Sequence, residues 1–554
     1  MLRFCAKRIP FHVLLATMFL ACIPLALTHG QVSANVPVTD DVYRSLDRLI
    51  AFGLVEDYLY GLRPFTRAEI ARLVMQAKNR LSRKDSFGVE LQHSQGEDGK
   101  FHNIRSDIER SIATLENYFS SEILLMDGES RGEPWELQIF RNFTFDQNYI
   151  DSRSRLVPTD IRYGSIDAFI NPLFSHRDGR PYVQGANGYL QFQNRLQAFK
   201  FLALDFTPYL YLGVPKENAR SQREVIVQRL TVKVGFRNLE LQVGRDQVIW
   251  GQGEMGGVLI SNNPKPFDMI KLSAIHPFRL PWYLRCLGPS SGSIFVARLG
   301  ENRNFPHAAL IGISMNMRPL PSFEVGLYHT YLFGGSGAPE SDFLDPIAEF
   351  FLIRRHGEAF DRPGSPNLAD HRAGIQFRFD ASALRHTQFY VEWMWDDFLH
   401  KILNDSAFLV GIYVPRVDFS GRTGLRLEFR SLGRILYRHS VFRTGYAEDS
   451  LIIGDPLGPK ALALSLGITR EISRHFFFES RLAYEDYRGG NTGTVNLERT
   501  HERRIRTTSA LRVRLASGWI VKTTTAYEHV WKFNFEPEKQ RDSVLFELGL
   551  EFPF

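Results

Sequence analysis

The chain has 554 residues, a formal net charge of +6, 44% hydrophobic and 13% aromatic residues, and three cysteines. That length exceeds the usual single soluble domain, so mild a charge gives no reason to expect nucleic acid as a partner, and so few cysteines exclude a fold stapled by disulfides. Beyond Ala34 no apolar run reaches the roughly 18 residues a helix needs to cross a bilayer, which excludes a helical membrane protein.

In chain order, the first element is a leader. Arg3, Lys7 and Arg8 form a basic start, Phe11 to Thr28 is almost wholly apolar, and Val32-Ser33-Ala34 supplies small residues. The pattern predicts a secretory signal peptide over 1–34, cut before Asn35. Losing the three basic residues takes the charge from +6 to +3, and losing Cys5 and Cys22 leaves Cys286, expected as an ordinary residue of the wall.

Residues 35–129 are expected to be a periplasmic helical bundle and a bridge. Asp40 or Asp41 caps a helix with Val42, Leu46, Leu49 and Ile50 on one face, ended by Gly53. Thr66-Arg67-Ala68-Glu69 reads as a capping box ahead of Ile70, Leu73, Val74 and Ala77. After a polar loop at Gln92 to Lys100, a third helix carries Ile104, Ile108, Ile112 and Leu115. Ser121 to Gly132 reads as the bridge.

From 130 to 554 the hydrophobic period changes from 3.6 to 2. In the clearest hairpin, Leu230, Val232, Val234 and Phe236 alternate with polar or small residues, Arg237-Asn238 turns, and Leu239, Leu241 and Val243 alternate again. The pattern returns in Ala373-Ile375-Phe377-Phe379, in Leu425-Leu427-Phe429, and in Leu511, Val513 and Leu515. Charged residues set between large apolar ones over so long a region fit a wall with lipid on one face and a wet lumen on the other. The chain ends with Val544, Phe546, Leu548, Leu550, Phe552 and Phe554 on one face, the terminal signal read by the barrel-assembly machinery. At roughly 23 residues per strand and connection, the region predicts an all-β, antiparallel transmembrane barrel of about 18 strands.

The most unusual segment is Gly244-Arg245-Asp246-Gln247-Val248-Ile249-Trp250-Gly251-Gln252-Gly253, followed by Gly256-Gly257 and by Ser261-Asn262-Asn263-Pro264-Lys265-Pro266. It resembles the hallmark of the capsule-assembly Wzi family. Val42-Tyr43-Arg44, Leu46 to Leu49 and Gly61 to Ala71 resemble that family's helical start, and Asp370 to Gly374 and Tyr390 to Asp397 its later strands. The resemblance implies an 18-stranded outer-membrane barrel with a periplasmic helical bundle. It also implies a lectin that binds capsular polysaccharide and helps organise it at the cell surface, without enzymatic activity.

The residues that suit sugar contact are Trp393, Trp395, Asp396 and Asp397, which combine aromatic platforms with carboxylates, and Arg245, Asp246 and Trp250. Each has a weightier architectural reading: a lumenal ion pair for Arg245 and Asp246, packing or a membrane girdle for Trp250, girdle and turn roles for the others. The long stretch from Gly334 to Phe351 is expected as an outer loop, where binding tends to reside. Arg372, Arg378, Arg426, Arg430, Arg512 and Arg514 point to a basic lumen that either attracts an acidic polymer or pairs internally. No catalytic motif, metal-ligand spacing or cofactor fingerprint is present. The expected partners are capsular or extracellular polysaccharide, outer-membrane lipid and, during insertion, the assembly machinery, with the protein a monomer. A porin or polysaccharide export channel is the alternative reading.

Overall fold

Strands with one greasy face have one stable arrangement in lipid, a sheet closed on itself, because no water is there to satisfy an open edge. The computed structural model, which describes residues 30–83, 94–95, 101–102, 104–127, 135–217, 219–338, 369–396, 406–418, 421–491 and 496–552, contains such a sheet. Its described residues form 18 antiparallel strands. They are β1 Trp135–Asp151, β2 Gly185–Ala198, β3 Leu202–Pro215, β4 Gln222–Phe236, β5 Leu239–Asp246 and β6 Phe267–Ala274, the last resumed at Phe278–Arg279. There follow β7 Pro289–Arg298, β8 Ala309–Leu320, β9 Phe323–Phe333, β10 Ala369–Ala381, β11 Thr387–Asp396 and β12 Ala407–Val414. The wall is completed by β13 Thr423–Leu432, β14 Ala461–Glu471, β15 Phe476–Arg488, β16 His501–Arg514, β17 Ile520–Trp531 and β18 Gln540–Phe552. Each strand pairs with the next, and β18 returns to β1 with Val544 opposite Asp151 and Phe552 opposite Phe143, so no edge remains.

Register follows the sequence pattern. In the β4–β5 hairpin Phe236 faces Leu239 and Val232 faces Val243. Leu230, Val232, Val234 and Phe236 are exposed on the outside, while Thr231 and Lys233 are buried inside. Val544, Phe546 and Leu548 likewise face outward on the closing strand; Pro553 and Phe554 lie outside the described residues. The outward residues meet lipid, and depth sets the cost of a charge there. Leu466, midway along β14, is 42% exposed. Leu466→Arg is expected to destabilise the barrel by about 2–4 kcal/mol, read as a lower urea midpoint in lipid vesicles.

Connections are short at one end of the barrel and long at the other, as in outer-membrane barrels with periplasmic turns and outer loops. The short-turn end is closed by four helices, α1 Val42–Ala51, α2 Arg67–Ser82, α3 Ile104–Tyr118 and α4 Ser120–Asp127. Asp40 Oδ1 accepts from Val42 N at 3.0 Å, and Gly53 leaves α1 with φ +66°. Thr66 Oγ1 accepts from Glu69 N at 3.1 Å, half of the expected box. Glu69 does not reach back to complete it, because Arg72 at 2.7 Å and His276 of the barrel at 3.2 Å hold its carboxylate. Leu46, Leu49, Ile50, Ile70, Leu73, Val74, Ala77, Ile108, Ile112 and Leu115 share one core. Ion pairs dock the bundle: Arg48 to Glu471, Arg512 to Asp41, and Arg422 to Asp107 at 2.9 Å.

Two expectations change, and the end of the expected leader has a defined place in the fold. The bridge begins as helix α4, because Arg67 pairs with Glu122 and Ile123 packs against the bundle core, giving the segment a docked face. Cys286 is not in the wall; it is exposed in the short helical turn Trp282–Leu287 ahead of β7. Residues 30–34, read as the end of the leader, are buried and bonded to the barrel.

Candidate functional site

The lumen is filled from both ends. From the short-turn side, residues 54–65 rise between α1 and α2. From the long-loop side, residues 247–266 descend between β5 and β6. They meet as a two-stranded antiparallel pair, Leu62 opposite Trp250 and Arg63 opposite Ile249. Both inserts bring backbone N–H groups that need partners, and carboxylates projecting inward from alternate strands of the wall supply them. Glu324 of β9 accepts from Tyr60 N and Gly61 N, both at 2.9 Å. Glu392 of β11 accepts from Gln252 N at 2.6 Å, Gly253 N at 2.8 Å and Val258 N at 2.9 Å. Glu428 of β13 accepts from Glu254 N at 3.0 Å. Arg63 donates to Gly251 O at 3.1 Å and Gly253 O at 2.6 Å, locking the two inserts together.

The glycines of this bend are steric requirements. A Cβ on Gly257 would lie 1.9 Å from Trp250 O, and one on Gly251, whose φ is +144°, would lie 2.3 Å from Gly257 Cα. Gly257→Ala is expected to destabilise the insert by about 1–3 kcal/mol while the barrel still closes. Limited proteolysis from the outer side would show new cuts near 250–260, with heat-modifiable gel migration unchanged. Among the described residues a chamber of ≈ 460 Å³ remains in the lumen, lined mainly by β1, β2, β13–β18 and the helical bundle.

On the long-loop face a second cavity, ≈ 630 Å³, opens outward between the β1–β2 loop, residues 152–184, and the β13–β14 loop, residues 433–460. Phe169 N donates to Ser450 O at 2.8 Å, joining the two loops. The side chains are held by one another. Asn171 Oδ1 accepts from Leu173 N at 3.3 Å, and its Nδ2 donates to Tyr182 OH at 2.7 Å. Ser152 Oγ donates to Asn171 Oδ1 at 3.2 Å, and Ser154 Oγ is bonded to Tyr182 OH. The Phe174 and Tyr182 rings pack at 4.3 Å between centroids, tilted by 40°. Phe169 leaves 42% of its surface exposed beside them. Behind this cluster Lys265 bridges Asp449 at 2.5 Å and Glu448 at 3.2 Å. Burial raises the Glu448 carboxyl above its usual value, with Lys265 and Gly300 N–H acting the other way. Rings beside amides and hydroxyls suit a ligand with flat C–H faces and hydroxyl edges, since each of these polar groups both donates and accepts.

Among known families, the profile described as capsule assembly protein Wzi matches residues 167–545, more than half of the chain. The chain belongs to the Wzi family. No curated protein sequence matches it. Among solved structures it is similar to Wzi of Escherichia coli, an outer-membrane protein involved in group 1 capsule assembly and a carbohydrate-binding β-barrel. That match has TM-score 0.64 and 17% identity and covers 95% of this chain and 99% of the other. OprD of Pseudomonas aeruginosa matches with TM-score 0.42 and 10% identity, over 76% of this chain and 94% of that one. As a Wzi-family member with a lipid-facing barrel, the protein is an outer-membrane protein.

Within this Wzi barrel the sequence-derived candidates lie on three different surfaces. Arg245 is on the outer face, paired with Asp268 of β6 at 2.6 Å, so its ion pair is not lumenal. Strict alternation explains this, because Arg245 shares the parity of Leu241 and Val243. Asp246 faces inward and accepts from Asn35 Nδ2 at 2.8 Å. Trp250, in the lumenal insert, is 1% exposed and packs against Phe295 of β7, so its role is packing. Trp393 and Trp395 stand edge to face on the half-exposed outer side of β11, and Trp393 stacks on Phe408. Asp396 turns inward, pairing with Arg372 at 3.2 Å and accepting from Tyr437 N at 2.8 Å. Asp397 and residues 339–351 of the expected outer loop lie outside the described residues.

Besides Arg512, which reaches Asp41 of the bundle, four of the six expected arginines bond within the barrel. Arg372 meets Asp370 at 2.8 Å, Arg430 meets Glu428 at 2.9 Å, and Arg378 donates to Gln252 Oε1 at 3.0 Å. Arg426 donates to Tyr390 OH at 3.2 Å. The cleft residues Phe169, Asn171, Phe174 and Tyr182 were not singled out from sequence. They sit in a loop without periodicity, and the one local signal is the run Phe169-Ile170-Asn171-Pro172, an aromatic beside a turn-forming Asn-Pro.

Proposed function

We propose that this protein is an outer-membrane lectin that binds capsular or other extracellular polysaccharide in its outward cleft and helps assemble or anchor it at the cell surface. The observation that carries the reading is the exposed Phe169 ring set beside the braced Asn171–Tyr182 pair at the mouth of a ≈ 630 Å³ cavity on the long-loop face. Membership of the Wzi family supports it, as does the likeness to a carbohydrate-binding β-barrel. Binding alone performs this role, so the protein acts without turnover, metal or cofactor. Its lumen, occupied by inserts from both sides, speaks against the alternative of a porin or export channel. A closed wall leaves no strand edge in need of a partner, which supports a monomer. Outer-membrane lipid around the wall and the assembly machinery during insertion complete its partners.

The test uses the purified full-length protein in detergent and the surface polysaccharide of the parent cells. Saturable binding, with more polysaccharide shed by cells lacking the gene, is the expected result. Unchanged shedding together with no binding in solution would remove the proposal.

A further inference from the structure

The first described residues are integral to the fold. Gln31, Val32, Ser33, Ala34, Asn35 and Val36 are each at most 5% exposed. Val32 N donates to Lys200 O at 2.9 Å, at the β2–β3 turn, and its side chain sits with Ala203 and Ile275 of the wall. The wall leaves room for it at Gly235, where a Cβ would come 2.2 Å from Val32 Cγ2. A helix start has N–H groups without intrahelical partners, and this segment satisfies them for α2. Arg67 N donates to Ala34 O at 2.9 Å, and Ala68 N donates to Ser33 Oγ at 2.8 Å. Asn35 then bridges two buried charges, receiving Lys233 Nζ at 2.8 Å and donating to Asp246 Oδ2 at 2.8 Å. Val36 N donates to Phe65 O at 2.9 Å.

A cut between Ala34 and Asn35 would undo this. Two N–H groups of α2 would lose their partners and the site between Ala203 and Ile275 would empty, whereas a cut after Gly30 gives up one bond to the wall, Gly30 N to Arg237 O at 2.8 Å. Upstream, Thr28 and Gly30 flank His29 and place small residues three and one before the next bond, the spacing of a leader cleavage site. We propose that the leader is removed by hydrolysis of the Gly30–Gln31 peptide bond, and that Gln31–Val36 is the strap that locks the helical bundle into the mouth of the barrel. Water supplies the hydroxyl to the Gly30 carbonyl and the proton to the Gln31 nitrogen.

The full-length chain with its own leader, purified from outer membranes, is examined by intact mass and N-terminal sequencing. The expected first residue is Gln31, alone or in its cyclised form lighter by one ammonia. Any other first residue, Asn35 included, overturns the assignment. The strap is tested separately with Val32→Asp. Heat-modifiable migration of the barrel should be retained, while tryptic cleavage within α1–α4 becomes about tenfold faster or more, the population change that goes with ~1.4 kcal/mol of lost docking. An unchanged rate of cleavage in a correctly inserted V32D barrel overturns the locking role.

Discussion

Replacing Glu392 by alanine is expected to release the lumenal insert and turn a silent barrel into a conducting one. Its carboxylate accepts three backbone N–H groups from residues 252–258, all within 2.9 Å. Hydrogen bonds to a charged group contribute about 1.5–3 kcal/mol each, and a buried donor left alone costs about 1–3 kcal/mol. Three such losses come to roughly 3–9 kcal/mol before water relieves any of them, enough to favour a displaced insert. The measurement is ion conductance across planar bilayers, with the parent protein closed and E392A showing repeated openings. Glu392→Gln is expected to fall between them, because one oxygen still accepts while the new NH₂ group confronts a backbone donor. An E392A barrel as silent and protease-resistant as its parent would mean that the loop is held by other contacts.

The second large effect is expected at the outer cleft. Phe169→Ala removes a ring that is 42% exposed and whose backbone, not its side chain, joins the two outer loops. Polysaccharide affinity should fall by roughly 30-fold, the ~2 kcal/mol of an aromatic anchor at the centre of an interface. Barrel stability should stay within about 0.5 kcal/mol. Tyr182→Phe should give a smaller loss, about 1 kcal/mol, since it keeps the ring but removes the hydroxyl bonded to Asn171 and Ser154. Equilibrium binding to immobilised polysaccharide reads both. Unaltered affinity in the double variant would place recognition elsewhere on the long-loop face.

Much of the wall was legible because its physics is local. Lipid outside and water inside impose a period of two, and Leu230 to Val243 carries that period without interruption. Carried through to its last residues, the parity of this strand puts Arg245 outside with Leu241 and Val243. The bundle was legible for the same local reason, through the apolar stripes of α1 to α3. The lumenal inserts were not. Trp250, Gly251 and Gly253 announce an unusual bend, yet the reason for it lies more than a hundred residues away, in Glu392 and Glu428. The cleft was hidden further still, since Phe169, Asn171 and Tyr182 gain meaning only when the loop after β1 meets the loop after β13.

The splice at the centre of the barrel bears on how such proteins diversify. Leu62–Arg63 and Ile249–Trp250 pair backbone to backbone, so each stretch of chain stands in for part of the solvent the other lacks at that depth. A gene that loses its opening segment, or trades one outer excursion for a foreign one, inherits a stranded half. Exchange between lineages is therefore tolerated at the rim and penalised at the axis, unless both pieces travel together.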